Sequence, residues 1–162
     1  MSKWQWAQLI GFEGFWLFAV VGQNPLAWLT VLLLVGHFVF TPSRAVDIRI
    51  LGLAAIGVSL DALLTLIGVF VFDQTPWWLL LLWVGFVLTL GHSMRWLSGL
   101  QWWQLMLIGA VVGPGSYIAG WRLGAVILPL GIWLSLLMLV PVWGLLLPLL
   151  VRCDQRIRHG AQ

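Results

Sequence analysis

The sequence predicts an all-α membrane protein, a polytopic bundle of six transmembrane helices forming one domain over residues 1–162. Three observations lead there. Hydrophobic residues make up 62% of the chain and charged residues 8%, with a mean hydropathy of +1.03, more apolar surface than a soluble core of this size can conceal. Six apolar stretches are each long enough to cross a bilayer and, at about 20 residues apiece, leave no room for a separate soluble domain. Positive residues gather in alternate connections, as the positive-inside tendency demands. The net charge of +3 therefore reflects topology. No basic face of the kind that binds nucleic acid is present, and no nucleic-acid partner is expected.

The first span covers residues 4–22. It follows a lone Lys3 and lacks an Ala-x-Ala-like cleavage site, so a retained helix is expected instead of a signal peptide. The second covers 25–40, with Pro25 in the first turn, where its missing N–H leaves nothing unpaired. The hydrophilic run 41–49 leads to the third, 50–72, which should stop at the turn-forming Asp73-Gln74-Thr75-Pro76. The fourth runs over 77–97, and Ser98-Gly99-Leu100 joins it to the fifth, 101–120. Gly113-Pro114-Gly115 should kink or break that fifth span, with a re-entrant segment as the alternative. The sixth is 125–151, and a polar tail follows. Under six crossings Lys3, Arg44, Arg49, Arg95, Arg152, Arg156 and Arg158 share one side and only Arg122 lies opposite. Five crossings would translocate the three arginines of the tail, so both termini are expected in the cytoplasm.

The one cysteine, Cys153, allows no intrachain disulfide. Most of the thirteen tryptophans fall near the expected interfaces as an aromatic belt. Trp16, Trp83, Trp133 and Trp143 fall deeper, where an indole N–H needs an acceptor, and are expected to pack within the bundle, with lining a pocket as the alternative.

Five ionisable residues sit inside the apolar stretches: Glu13, His37, Asp61, His92 and Arg95. Hydrocarbon penalises a charged side chain by roughly 2.5–3.5 kcal/mol, so each needs a partner, a cavity or a neutralising proton. In the third span Ala54, Gly57, Asp61, Thr65 and Gly68 recur at intervals of three and four, a small-and-polar stripe expected to face protein. Glu13 lies at a depth similar to Asp61, so the two carboxyls could meet and share a proton; the plainer alternative is that each bonds separately to backbone or to a tryptophan N–H. In His92-Ser93-Met94-Arg95-Trp96 the residues His92, Arg95 and Trp96 are expected on one face, with His37 at similar depth. Two histidines lacking an i, i+4 partner or a nearby cysteine make a weak metal signature, and neither metal nor cofactor is expected. Arg95 could hold a phosphate or carboxylate, or reach to lipid headgroups.

Between Gly113 and Gly124, a broken helix would expose backbone groups to a cavity, to which Ser116, Tyr117 and Arg122 could add polar lining; the plainer alternative is a kinked helix followed by an ordinary external loop. The chain contains no Ser-His-Asp order, phosphate-cradling glycine loop, paired CxxC or His-Glu-x-x-His, and no catalytic residue is named.

At His92-Ser93-Met94-Arg95-Trp96-Leu97 and in the 113–124 stretch the sequence resembles a family of short bacterial inner-membrane proteins known as domain of unknown function 2878. The resemblance implies a multi-pass inner-membrane location and draws interest to His92, Arg95, Gly113, Pro114, Tyr117, Gly120 and Arg122; it implies no activity. The third span, with Gly57 before Asp61 and Gly68 after it, is more loosely similar to the third helix of six-span rod-shape proteins and vitamin-uptake substrate-binding components.

These readings converge on a protein that binds or translocates a small or lipid-like ligand in a mid-membrane cavity built from Glu13, His37, Asp61, His92, Arg95, Tyr117 and Arg122. The alternative is a non-catalytic scaffold subunit of a membrane lipid-modification or cell-envelope complex, touching another membrane protein. Membrane lipid is a partner in both. A lipid-active enzyme ranks last for want of a nucleophile or metal.

Overall fold

The computed structural model describes residues 2–72 and 76–160; the expected turn residues Asp73, Gln74 and Thr75 lie outside the described residues. Helix α1 (Lys3–Gly22) starts at a capping box in which Ser2 and Gln5 exchange bonds, satisfying two N–H groups that a helix start leaves open. A 3₁₀ turn (Asn24–Leu26) folds the chain back into α2 (Ala27–Phe40). Helices α3 (Arg44–Ile50) and α4 (Gly52–Leu66) are separated only by Leu51, itself helical in backbone, so they form one rod. Helix α5 (Trp77–Leu90), a 3₁₀ turn (Arg95–Gly99), α6 (Trp102–Arg122) and α7 (Gly131–His159) complete the order. The protein is all-helical; among the described residues extended pairing is confined to one antiparallel bridge, Val71 with Ile127.

The third and sixth spans are shorter than expected at one end. Helix α4 stops at Leu66 because Gly68 takes a left-handed backbone (φ +77°), letting Val69 N–H bond to Leu64 C=O and Gly68 N–H to Thr65 C=O. Gly124 (φ +74°) ends α6 in the same way, with Ala125 N–H on Gly120 C=O. The two segments leaving these ends meet at the Val71–Ile127 bridge, with 2.9 Å bonds in both directions, so α7 begins at Gly131 and not at 125.

The fourth span is also cut short, at Leu90 instead of 97. Side-chain amides of α1 take over there: Gln5 Nε2 donates to His92 C=O (3.2 Å), Gln8 Nε2 to Leu88 C=O (3.1 Å), and Ser93 N–H donates to Gln8 Oε1 (2.9 Å). Once the helix has ended, the three- and four-residue spacing of His92, Arg95 and Trp96 no longer aligns them. His92 is buried while Arg95 and Trp96 are exposed.

Helix α6 runs unbroken through Gly113-Pro114-Gly115, so the expected break is absent there. Ser116 Oγ donates to Gly113 C=O at 2.6 Å, and the bare Gly113 seats the Trp143 ring of α7; a Cβ there would fall 2.1 Å from the indole. Of the four deeper tryptophans, Trp83 and Trp143 are buried and stacked at 5.5 Å, Trp16 is half-buried, and Trp133 points outward at 80% exposure. The small-residue stripe faces inward at Ala54, Gly57 and Asp61, which are buried, and at Thr65 and Gly68, which are half-buried.

Contacts at the helix ends give the six rods alternating directions. At one end α1 holds the 92–93 turn, Arg152 reaches Leu100 C=O, Gln155 reaches Ser98 C=O and Arg158 reaches Asp47. At the other, Gln23 bonds to Gly124 C=O and Ser135 to Val69 C=O. Large apolar side chains, among them Phe40, Leu66, Val111 and Leu137, stand fully outward on the flanks. Two segments, Arg44–Leu66 and Gly131–His159, are long and apolar enough to cross a membrane.

Candidate functional site

The ionisable residues of the interior divide between two centres. The first is a cavity of about 400 Å³ whose walls come from α1, α4, α5, α6 and α7. Asp61 projects into it from α4, where the bare Gly57 one turn earlier leaves room for Trp83; a Cβ on Gly57 would come within 2.2 Å of that indole. Trp83 Nε1 donates to Asp61 Oδ2 at 2.6 Å and the Tyr117 hydroxyl donates to Oδ1. Trp143 stands edge-on to Tyr117 (6.3 Å between centroids), its buried indole N–H meeting no acceptor at hydrogen-bonding geometry. Glu13 also lines the cavity but stays exposed, with no hydrogen bond or ion pair among the described residues. Asp61 therefore follows the plainer alternative of binding a tryptophan N–H, and the carboxyl pair with Glu13 is not formed.

The second centre lies at the end of the bundle rich in positive charge and is organised by Asp47, which is fully buried on α3. His37 Nε2 from α2 lies 3.3 Å from its Oδ2, and His92 Nε2 lies 3.0 Å from both oxygens. Ser43 donates to Oδ1 (3.2 Å), Thr41 donates to Oδ2, and Arg158 Nη2 from α7 stands 3.2 Å from Oδ1. Arg158 is itself held by Asp154 at 2.9 Å and passes over the bare Gly91, where a Cβ would overlap its guanidinium. One carboxylate thus ties together α2, the 92–93 turn and α7.

Trp4 decides the chemistry of this centre. Its indole nitrogen can only donate, and it lies 3.1 Å from His92 Nδ1. Nδ1 must then be the acceptor, which puts the ring proton on Nε2, facing Asp47. Two consequences follow. Ser43 (3.4 Å) and Thr41 (3.5 Å) approach the same nitrogen as Asp47, whereas a nucleophile-activating triad needs hydroxyl and carboxylate on opposite nitrogens. His37, Asp47 and His92 present ligand atoms within 4.8 Å of one another, enough in number for a metal ion. A ligating Nε2 would require the proton on Nδ1, against Trp4, and the adjacent Arg158 guanidinium opposes a cation. The donor set fits a hydrogen-bonded carboxylate better than a metal.

The expected site residues are therefore distributed as follows. Glu13, Asp61 and Tyr117 share the cavity; His37 and His92 belong to the Asp47 centre; Arg95 is exposed on the 3₁₀ turn, and Arg122 is exposed over the Trp121 ring at 5.4 Å. Asp47, Trp4 and Arg158 were missed as site residues, and Trp83, one of the deep tryptophans, turned out to be the indole donor to Asp61. A charge count held a signal for Asp47: with Asp154, it is the only acid among the positive residues of that end.

A family model described as protein of unknown function (DUF2878) matches residues 5–149. The chain belongs to that family. The DUF2878 match includes every residue of the cavity and most of the Asp47 centre, and stops short of Asp154 and Arg158. Comparisons with curated proteins and with solved structures give no match, so the looser likeness of the third span to rod-shape and vitamin-uptake components gains no support.

Proposed function

We propose that this DUF2878 protein is a multi-pass protein of the bacterial inner membrane, crossing six times with both termini cytoplasmic, and that it binds or carries a small or lipid-like ligand in the Asp61 cavity. The carrying observation is the cavity: a space of about 400 Å³, within the range of small-molecule sites, with mostly apolar walls around two carboxyls, Glu13 and Asp61, and two hydroxyls, Ser116 and Tyr117. The six crossings are supported by the alternating rods, the apolar flanks and the gathering of all but one positive residue at a single end. Helices α2 and α5 have 14 residues, about 21 Å. The 3₁₀ turn Asn24–Leu26 abuts α2, whereas α5 gives way to the turn at 91–94, so each helix by itself is shorter than the roughly 30 Å of a hydrocarbon core.

The test is mass spectrometry of small molecules and lipids retained by the protein purified in mild detergent, compared with Ser116→Trp, which fills the cavity. A species enriched in the wild type and lost from the folded variant is expected. Equal retention by both would remove the proposal. The scaffold reading keeps one specific support, the Asp47 centre, which joins three parts of the chain through bonds made within the chain. A protein that purifies alone and monomeric across several detergents would count against it.

A further inference from the structure

We infer that the ligand of the Asp61 cavity is a hydrophobic organic cation, an amine or quaternary ammonium carried on an apolar body; this rests on the cavity being a ligand site. Three features of the lining combine. Eight aromatic side chains contribute to it, among them Trp16, Trp78, Phe86 and Tyr117, and aromatic faces attract cations through their negative quadrupole. Its ionisable groups among the described residues are Glu13, Asp61 and Tyr117, with no Lys, Arg or His. Among the described residues neither carboxyl has a basic partner: Asp61 is met only by the neutral donors Trp83 and Tyr117, and Glu13 by none.

That composition selects by charge. An anionic ligand would enter against two acidic groups in a medium that screens poorly, and an uncharged one would leave both acids without a counter-charge. A cation supplies what the chain withholds. Trp83 and Tyr117 occupy one acceptor position on each Asp61 oxygen, and a carboxylate oxygen has two, so Asp61 retains capacity for a further donor. Glu13, exposed midway along α1, lies where a cation entering from the side would meet it first, and Asp61 lies buried behind it. The contrast with the Asp47 centre is instructive: there Arg158 already supplies the positive charge, and no ligand is required.

The experiment uses two probes of matched size and opposite charge, tetraphenylphosphonium and tetraphenylborate, in equilibrium dialysis against the full-length protein in a non-ionic detergent. Saturable binding of the phosphonium is expected, with the borate at least tenfold weaker, and Glu13→Gln and Asp61→Asn should each weaken the phosphonium at least tenfold. Glu13 makes no bond that the fold needs, so E13Q decides the matter even if D61N fails to fold. Equal affinity for the two ions, or wild-type phosphonium affinity in E13Q, would overturn the inference while leaving a charge-blind ligand cavity standing. Saturable binding of neither ion also overturns it, and retained molecules in the Ser116→Trp comparison then judge the cavity separately.

Discussion

Replacing Asp47 by alanine is the most searching test of what holds this bundle together. The carboxylate is wholly buried, yet Arg158, His37, His92, Thr41 and Ser43 all turn donors towards it. Its loss leaves the Arg158 guanidinium, only 20% exposed, with Asp154 as sole counter-charge, and removing one partner of a buried ion pair costs about 3–5 kcal/mol. The hydroxyl and imidazole bonds add about 0.5–1.5 kcal/mol each at most, partly recovered by water at the end of the bundle. A total loss of at least about 3–5 kcal/mol is expected on this basis. The measurement is reversible unfolding in mixed detergent micelles, followed by helical circular dichroism, for D47A, R158M and the double variant. The double variant should be less damaged than the sum of the singles by about 1–3 kcal/mol, because its second change removes the charge that the first one stranded. A D47A protein within about 1 kcal/mol of wild type, or strict additivity with R158M, would refute the assigned role.

Gly57→Val should drive the Trp83 indole off Asp61 and cost about 1–3 kcal/mol from overpacking alone, read in the same unfolding assay; wild-type stability would mean that the close approach is unimportant. Tyr117→Phe leaves Asp61 with Trp83 as its single donor, and a loss of about 1–3 kcal/mol is expected; no loss would show the Tyr117 bond to be dispensable. Zinc titration of the wild type should give no stoichiometric uptake, whereas Trp4→Phe, by freeing His92 Nδ1 to carry the proton, should bind zinc at least tenfold more tightly; stoichiometric zinc in the wild type would sink the tautomer assignment. In a Cys153→Ser background, Leu123→Cys should react with an impermeant maleimide in intact spheroplasts and Arg95→Cys only after permeabilisation. Labelling of both from the same side would rule out the six-crossing topology.

Much of the fold was legible because it rests on short-range information. Apolar runs set where the helices lie, and the spacing of Ala54, Gly57 and Asp61 put one face inward. The helix ends were less legible. Residues 67–72 and 125–130 are as apolar as the helices they follow or precede, and the left-handed turns at Gly68, Gly124 and Gly131 take them out of the helices. At Pro114 the expected break does not occur: α6 runs on through it, with Trp143 of α7 seated against the bare Gly113. Asp47 was hidden because a short hydrophilic run reads as a solvated connection.

By itself the sequence determined the helical class, the apolar exterior and the end at which positive charge collects, since composition and helical period act over a few residues. The tertiary structure alone decided which polar groups meet. Asp47 is 45 residues from His92 and 111 from Arg158, and Asp61 is 56 from Tyr117. No local periodicity encodes such pairings; they follow from which rods pack side by side, and that packing separated the acids into one centre that is neutralised within the chain and one that is not.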